Sequence, residues 1–251
     1  MTLEQFFLAH PRAALGLSGG TDSAYLLYAG LRCGADVRPY YVKTEFQPQF
    51  ELDDAVRLAG RCGVELTVLR LSVLEQPAIA ENPAGRCYLC KLAIFGALTE
   101  RARADGYPAV LDGTNASDSA ADRPGMRALG ELAVLSPLRA CGLTKSDVRA
   151  LSKEAGLFTW NKPSYACLAT RVPAGMPITA ELLRRVECAE DALFRLGFRD
   201  FRVRVCGGGA ARLEVAASQA DAARQMRRQI LEAVRPYFDT LLPDAAERRS
   251  E

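Results

Sequence analysis

Histidine occurs once in this 251-residue sequence, as His10, and tryptophan once, as Trp160. A complete zinc site takes four ligands, and His10 has no neighbouring partner to begin one. Charge of one sign is also lacking. The 32 Lys and Arg residues stand against 30 Asp and Glu, a net charge of +2. That is too balanced for a broad electrostatic footprint on long nucleic acid, and leaves room only for a local patch. No apolar run approaches the roughly 18 residues of a membrane span. The opening Met1–His10 stretch lacks a basic region and carries Glu4, so no secretory signal is read there and the cytoplasm is the expected setting. The eight cysteines then read as thiols or metal ligands in preference to disulfides. No internal repeat is visible. What remains is an ordinary globular composition, 49% hydrophobic and 25% charged. A chain of this length buries about 70–75% of its unfolded surface, which makes a full core without staples.

Apolar runs alternate with amphipathic segments over the first two-thirds. Strands are expected at Ala13–Leu17, Val37–Val42, Val64–Leu71, Ala109–Asp112 and Leu132–Leu135. Helices are expected at Ser23–Arg32, Glu51–Arg61, Lys91–Arg103 and Lys145–Ala155, the last capped by Thr144. This alternation indicates an α/β fold with a parallel sheet covered on both faces, whose ligands sit at the carboxyl ends of the strands. The pattern changes after Trp160. Asn161–Pro177 reads as irregular, followed by a helix from Thr179 to about Leu196, strands at Phe201–Val205 and Arg212–Ala216, and a helix at Gln219–Val234. Residues 1–160 are thus expected to form one domain and 161–251 a smaller α+β domain, with a frayed end from Ala245.

The strongest motif is Ser18-Gly19-Gly20-Thr21-Asp22-Ser23, at the first strand-to-helix turn. Adjacent glycines let the backbone approach an anion and turn successive N–H groups toward it. The helix that follows adds its own N–H groups and a dipole of about half a positive charge. Ser18, Thr21 and Ser23 offer hydroxyls, and Asp22 can hold a magnesium ion beside phosphates. No Gly-Lys-Ser/Thr follows, so this is not a Walker A loop, and the third glycine of the dinucleotide fingerprint is missing. The loop resembles the PP-loop of the ATP pyrophosphatases, with their adenine nucleotide alpha hydrolase-like fold. The resemblance implies that the loop grips the β,γ-phosphates of ATP while a substrate oxygen attacks the α-phosphorus. It also places the adenine near Lys43 and Thr44. Asp112–Asp118 ends the fourth strand on the same rim. There Gly113 allows close backbone approach and Asp118 is a second candidate for the metal.

Arg86-Cys87-Tyr88-Leu89-Cys90-Lys91 holds the one Cys-x-x-Cys. Alone it is compatible with zinc, an iron–sulfur cluster, a redox pair or no function. Cys167, in Tyr165-Ala166-Cys167-Leu168-Ala169, is a third candidate. Arg202 and Arg204 alternate along a strand and face one side, where guanidinium forks can grip a nucleotide phosphate. Arg171, Lys162 and Glu214 are weaker candidates for the same cavity.

Taken in order, Ser18–Ser23, Asn82-Pro83, Cys87 to Lys91, Asp112–Asp118, Arg123-Pro-Gly125, Ser136-Pro-Leu138, Trp160 to Ser164, Cys167-Leu-Ala169 and Arg202 to Val215 resemble the LarE family over nearly the whole chain. The resemblance implies an ATP- and magnesium-dependent sulfur transferase in nickel-pincer nucleotide assembly. Such an enzyme adenylates the carboxylate of a pyridinium dicarboxylate mononucleotide and converts it to a thiocarboxylate. Asp22, Ser23 and Cys167 then carry the chemistry. One branch sacrifices the sulfur of a cysteine at the position of Cys167. The other holds a [4Fe-4S] cluster on cysteines at the positions of Cys87, Cys90 and Cys167. All three are present here, which favours the cluster branch. A small nucleotide partner and a homo-oligomer are expected, with neither long nucleic acid nor membrane. The competing readings are a PP-loop tRNA thiolase and a non-catalytic nucleotide-binding module with structural zinc.

Overall fold

The computed structural model describes residues 1–118 and 124–247, with side chains to residue 242. Arg123 and the last four residues, both covered by expectations above, lie outside the described residues. The chain divides into two compact units, Met1–Val73 with Gly85–Lys162, and Leu74–Ala84 with Pro163 onward.

In the first unit, α1 (Leu3–Ala9) precedes β1 (Arg12–Gly16), α2 (Thr21–Arg32), β2 (Asp36–Lys43), α3 (Gln49–Arg61) and β3 (Thr67–Arg70). After α4 (Pro77–Ala80), which belongs to the second unit, come α5 (Arg86–Ala104), β4 (Ala109–Leu111), α6 (Pro124–Glu131), α7 (Pro137–Ala140) and α8 (Lys145–Glu154). The four strands form a parallel sheet in the order β3-β2-β1-β4. Side chains alternate across it, as the period of two in a strand requires. Ala13, Leu15, Val37, Tyr41 and Leu111 join one core with residues of α1, α2, α3 and α8. Ala14, Tyr40, Val42 and Val110 join another with Phe95, Leu98 and Ala102 of α5 and Leu129 of α6. The chain steps outward from β1 to β2 and β3, then returns to place β4 on the other side of β1. The switch point therefore falls between β1 and β4, where ligands of open parallel sheets bind.

The α/β reading holds, with local differences. Leu132–Leu135 does not form a fifth strand. It contributes one parallel bridge, Leu135 to Leu111, because Ala133 turns through a positive φ of 53° just before it. Helix α5 begins at Arg86, five residues before the expected start, so Cys87 and Cys90 lie in its opening turns.

In the second unit, a 3₁₀ turn (Leu168–Arg171) precedes α9 (Ala180–Arg195), β5 (Phe201–Gly207) and β6 (Ala210–Val215). A second 3₁₀ turn (Ala217–Gln219), α10 (Ala220–Gln225), α11 (Arg227–Val234) and β7 (Thr240–Glu247) complete it. The sheet runs β5-β6-β7, with β5 and β6 antiparallel and β7 parallel to β6. Val186, Ala189 and Leu193 of α9 are buried, as are Val203, Leu213 and Val215 of the sheet. The expected last helix is broken at Met226. The polar end from Ala245 is in strand as far as Glu247.

Candidate active site

The turn after β1 is shaped by what its glycines must avoid. Gly19 has a φ of +70°, and a Cβ there would stand 2.5 Å from the carbonyl oxygen of Glu51. An L side chain meets both backbone strain and a collision at that position. Lys162 Nζ donates to the Gly19 carbonyl at 3.0 Å and to Asp54 Oδ2 at 2.6 Å. Because a trans peptide sets its N–H opposite its C=O, fixing the Gly19 carbonyl also aims the Gly20 N–H. Ser18 N–H donates to Ser23 Oγ at 3.1 Å, and the two hydroxyls lie 3.0 Å apart. Gly20 caps α2 without a side-chain hydrogen bond, so the first N–H groups of a 12-residue helix have no side-chain cap. A helix start of this kind, beside a glycine turn, is suited to an anion.

The Thr21 side chain has an internal partner. Its hydroxyl, expected to face phosphate, donates to the Thr159 carbonyl at 2.7 Å, and the residue is buried. Asp22 is half-buried and faces two groups from the neighbouring rim. Lys145 Nζ lies 2.5 Å from its Oδ2, and Asn115 Nδ2 donates to its Oδ1 at 3.4 Å. Lys145 opens α8, where Thr144 and Asp147 form a reciprocal capping box that fixes the helix start. The Thr144 hydroxyl and backbone N–H hold the Asp147 carboxyl below its usual range.

The loop after β4 approaches the same point. A Cβ on Gly113 would stand 2.9 Å from the Ser23 backbone nitrogen, so only glycine lets this loop pass the start of α2. Asn115 N–H donates to Asp118 Oδ2 at 3.0 Å, and Asn115 Oδ1 accepts from Ser117 N–H at 2.8 Å. Asn115 thus links Asp118 to Asp22, the two acids expected at the metal. Asp112 is buried and accepts from Thr114 and from Ser136 Oγ, the latter at 2.6 Å. After β2, the Lys43 ammonium donates to the Gln47 carbonyl, and the Thr44 hydroxyl to Gln47 Oε1 at 2.7 Å. These two residues build a closed turn at the expected adenine position. On α5, Cys87 is exposed and accepts from Arg86 Nη2 at 3.8 Å, while Cys90 is buried one turn on.

In the second unit the half-buried Cys167 begins the turn Leu168–Arg171. Arg202 is buried and Arg204 half-buried, on one face of β5 as expected. Arg204 Nε pairs with Glu214 Oε2 at 2.9 Å, and its Nη1 donates to the Thr170 carbonyl at 2.5 Å. Two of the weaker candidates are assigned elsewhere. Arg171 is committed to Glu190, and Lys162 belongs to the loop of the first unit. Asn82 of the Asn-Pro motif is structural: buried at a φ of +57°, it donates through Nδ2 to the carbonyls of Pro173 and Met176. None of the eight cysteines is in a disulfide. Among the described residues no group of three or more His, Cys, Asp or Glu side chains is placed to hold a metal ion. Among them too, no helix is long and apolar enough to cross a membrane.

Lys145, Asn115 and Glu190 were not singled out in the sequence. For Lys145 a signal existed, since a lysine at the first position of a capped helix works against the helix dipole.

A glycine loop and helix start at a sheet switch point, with an acid and a lysine beside them, have the form of a PP-loop. No family model matches the chain. It is 38% identical over 205 residues to an uncharacterised protein of Synechocystis sp., covering 80% of this chain and 76% of that one. It is 34% identical over 195 residues to the pyridinium-3,5-bisthiocarboxylic acid mononucleotide synthase of Lactiplantibacillus plantarum, covering 77% and 71%. A more distant likeness, 24% identity covering 60% and 54%, is to the tRNA-specific 2-thiouridylase MnmA of Thermotoga maritima. The class is therefore that of sulfur-transferring enzymes built on a PP-loop domain. Within it, the chain belongs to the LarE family.

Proposed function

We propose that this chain uses ATP to activate the carboxylate of a pyridinium dicarboxylate mononucleotide and converts it to a thiocarboxylate, a step toward the nickel-pincer nucleotide. The observation that carries this reading is the likeness to the pyridinium bisthiocarboxylate synthase, joined to the PP-loop geometry of the first unit. A carboxylate oxygen is a poor leaving group until it carries AMP. In the proposed reaction that oxygen attacks the α-phosphorus of ATP, the bond to the β-phosphate breaks, and pyrophosphate leaves. The acyl adenylate then accepts sulfur at its carbonyl carbon and releases AMP.

The first-turn N–H groups of α2 and the hydroxyls of Ser18 and Ser23 would receive the departing charge, which preorganised donors stabilise most effectively. Asp22 and Asp118 are acids of the kind magnesium takes, and they would hold it beside the phosphates. Lys145 neutralises Asp22 until the metal and nucleotide arrive. Lys43 and Thr44 would border the adenine, with Gly113 admitting the loop after β4 to the phosphates. Arg202 and Arg204 would grip the phosphate of the acceptor.

Three thiols, two of them one turn apart on α5, are a soft donor set of the kind that suits iron–sulfur ligation. Cys87, Cys90 and Cys167 would hold a [4Fe-4S] cluster, and the chemistry such a cluster would supply is delivery of sulfide to the acyl adenylate. Homo-oligomerisation and a cytoplasmic setting are part of the same proposal.

The test is iron and sulfide analysis of oxygen-free protein, with mass spectrometry of the Cys167 peptide. The reading expects brown protein with about four irons per chain, and loss of colour and transfer in Cys87→Ala and in Cys90→Ala. Intact transfer in the double variant, with loss of sulfur confined to Cys167, would establish the sacrificial route in its place.

A further inference from the structure

The second unit encloses an ion pair that the reaction does not use directly. The side chains of Arg171 and Glu190 are 0% and 1% exposed. Two parallel hydrogen bonds join them, Nε to Oε1 at 2.9 Å and Nη2 to Oε2 at 3.0 Å. Burial works against the charge of Arg171, but Glu190 outweighs it and the guanidinium pKa rises. A buried pair of this kind adds little stability over apolar side chains of the same volume, because desolvation offsets the attraction. The geometry it fixes is the better reason for its presence.

That geometry converges on Cys167. Arg171 Nη1 donates to the Ala166 carbonyl at 2.6 Å and to the Cys167 carbonyl at 3.4 Å. It also donates to Thr170 Oγ1 at 3.0 Å, and that hydroxyl donates in turn to the Cys167 carbonyl at 2.8 Å. With the Thr170 N–H at 3.0 Å, three donors hold one carbonyl oxygen. Glu190 receives two further donors, the Tyr165 hydroxyl and the Val203 N–H, the latter at 2.8 Å. The guanidinium carbon lies 4.3 Å from the centre of the Tyr165 ring. Val203 stands between Arg202 and Arg204, and Arg204 reaches back to the Thr170 carbonyl.

We propose that Glu190, through Arg171 and Tyr165, is a positioning residue for Cys167, holding its turn in register with the phosphate-binding strand β5. This rests on the proposed role of Cys167 in sulfur delivery. Delivery to a substrate anchored by its phosphate needs the thiol held in place, and small misplacements cost rate without loosening binding.

The test compares Tyr165→Phe, Glu190→Gln and the apolar pair Arg171→Met with Glu190→Leu. Three quantities are measured on the full chain: thermal unfolding, acceptor-dependent transfer as kcat and KM, and iodoacetamide labelling of Cys167 relative to the exposed Cys206 after iron removal. Tyr165→Phe keeps the ring and deletes one hydroxyl. It is expected to retain cooperative unfolding while the labelling ratio moves by about threefold and kcat falls by about tenfold at little-changed KM. The apolar pair is expected to unfold cooperatively and still fail in transfer. The proposal is overturned if folded Tyr165→Phe and Glu190→Gln match the wild type in labelling and kcat, or if the apolar pair restores transfer. Should the wild type transfer no sulfur, the functional reading fails, and the labelling ratio alone decides the positioning role.

Discussion

Lys145 Nζ lies 2.5 Å from Asp22 Oδ2, although 123 residues separate the two in sequence. One residue follows the glycine turn of β1, and the other opens α8, which comes after β4, α6 and α7. The pair therefore spans the switch point of the sheet, where the proposed reaction would place a nucleotide-bound metal. Side chains exposed to this degree, 30% and 21%, form a pair that contributes little to stability, on the order of 0–1 kcal/mol. On the proposed function its value lies in binding.

Lys145→Met is accordingly expected to leave the folded state nearly as stable as before while raising the KM for ATP by about tenfold or more. Lys145→Arg should recover part of the loss. Steady-state pyrophosphate release across ATP concentrations, together with a melting curve, measures both effects. An unchanged KM would show that Lys145 serves α8 alone.

Gly19→Ala tests the loop itself. The new Cβ would stand 2.5 Å from the Glu51 carbonyl oxygen, at a φ of +70°. Strain of this kind costs on the order of 1–3 kcal/mol, which for a domain of this size lowers Tm by about 2–4 °C per kcal/mol. Activity should fall further than stability does, because the loop must shift away from the Glu51 carbonyl to relieve the contact. Differential scanning calorimetry beside pyrophosphate release separates the two. A variant with wild-type Tm and rate would show that the turn tolerates a side chain.

Thiol labelling offers a pH-dependent check. Burial pushes the thiols of Cys33, Cys62 and Cys141 up from their ordinary range. A raised thiol pKa leaves less thiolate at any given pH below it, and thiolate is the reacting form. In iron-free protein at mildly alkaline pH these three should label slowly, accelerating only as pH climbs further, while the exposed Cys87 and Cys206 label first. Peptide mass spectrometry over a pH series reads the order. Early labelling of Cys62 would contradict it.

The first unit was legible in the sequence because strand and helix periods differ, and apolar runs such as Ala13–Leu17 announce both the strand and its burial. The Thr144 cap was legible for a local reason, a hydroxyl three residues before an acid. The segment 74–84 was not read as part of the second unit. What ties it there is Asn82 binding the 172–176 loop about 90 residues away, a tertiary contact without local signature. β7 was hidden for a related reason: Thr240–Glu247 is polar in part and gains its strand form by pairing with β6. Around the candidate site, the close backbone approaches at Gly19 and Gly113 were readable from turn chemistry. The Thr21 hydroxyl and the Arg171 guanidinium share one feature. A hydroxyl or guanidinium in a motif looks available for phosphate until the fold supplies a buried internal partner, Thr159 in one case and Glu190 in the other.

On the proposed function, ATP is split to activate a carboxylate that then receives sulfur. The most direct measurement follows pyrophosphate, AMP and acceptor mass together, in wild-type protein and in Asp22→Ala, with pyridinium dicarboxylate mononucleotide as acceptor. Expected are acceptor-dependent pyrophosphate and AMP, a product in which sulfur replaces one oxygen, and a rate in Asp22→Ala lower by about a hundredfold or more. Release of ADP and phosphate, or pyrophosphate release indifferent to the acceptor, would contradict it.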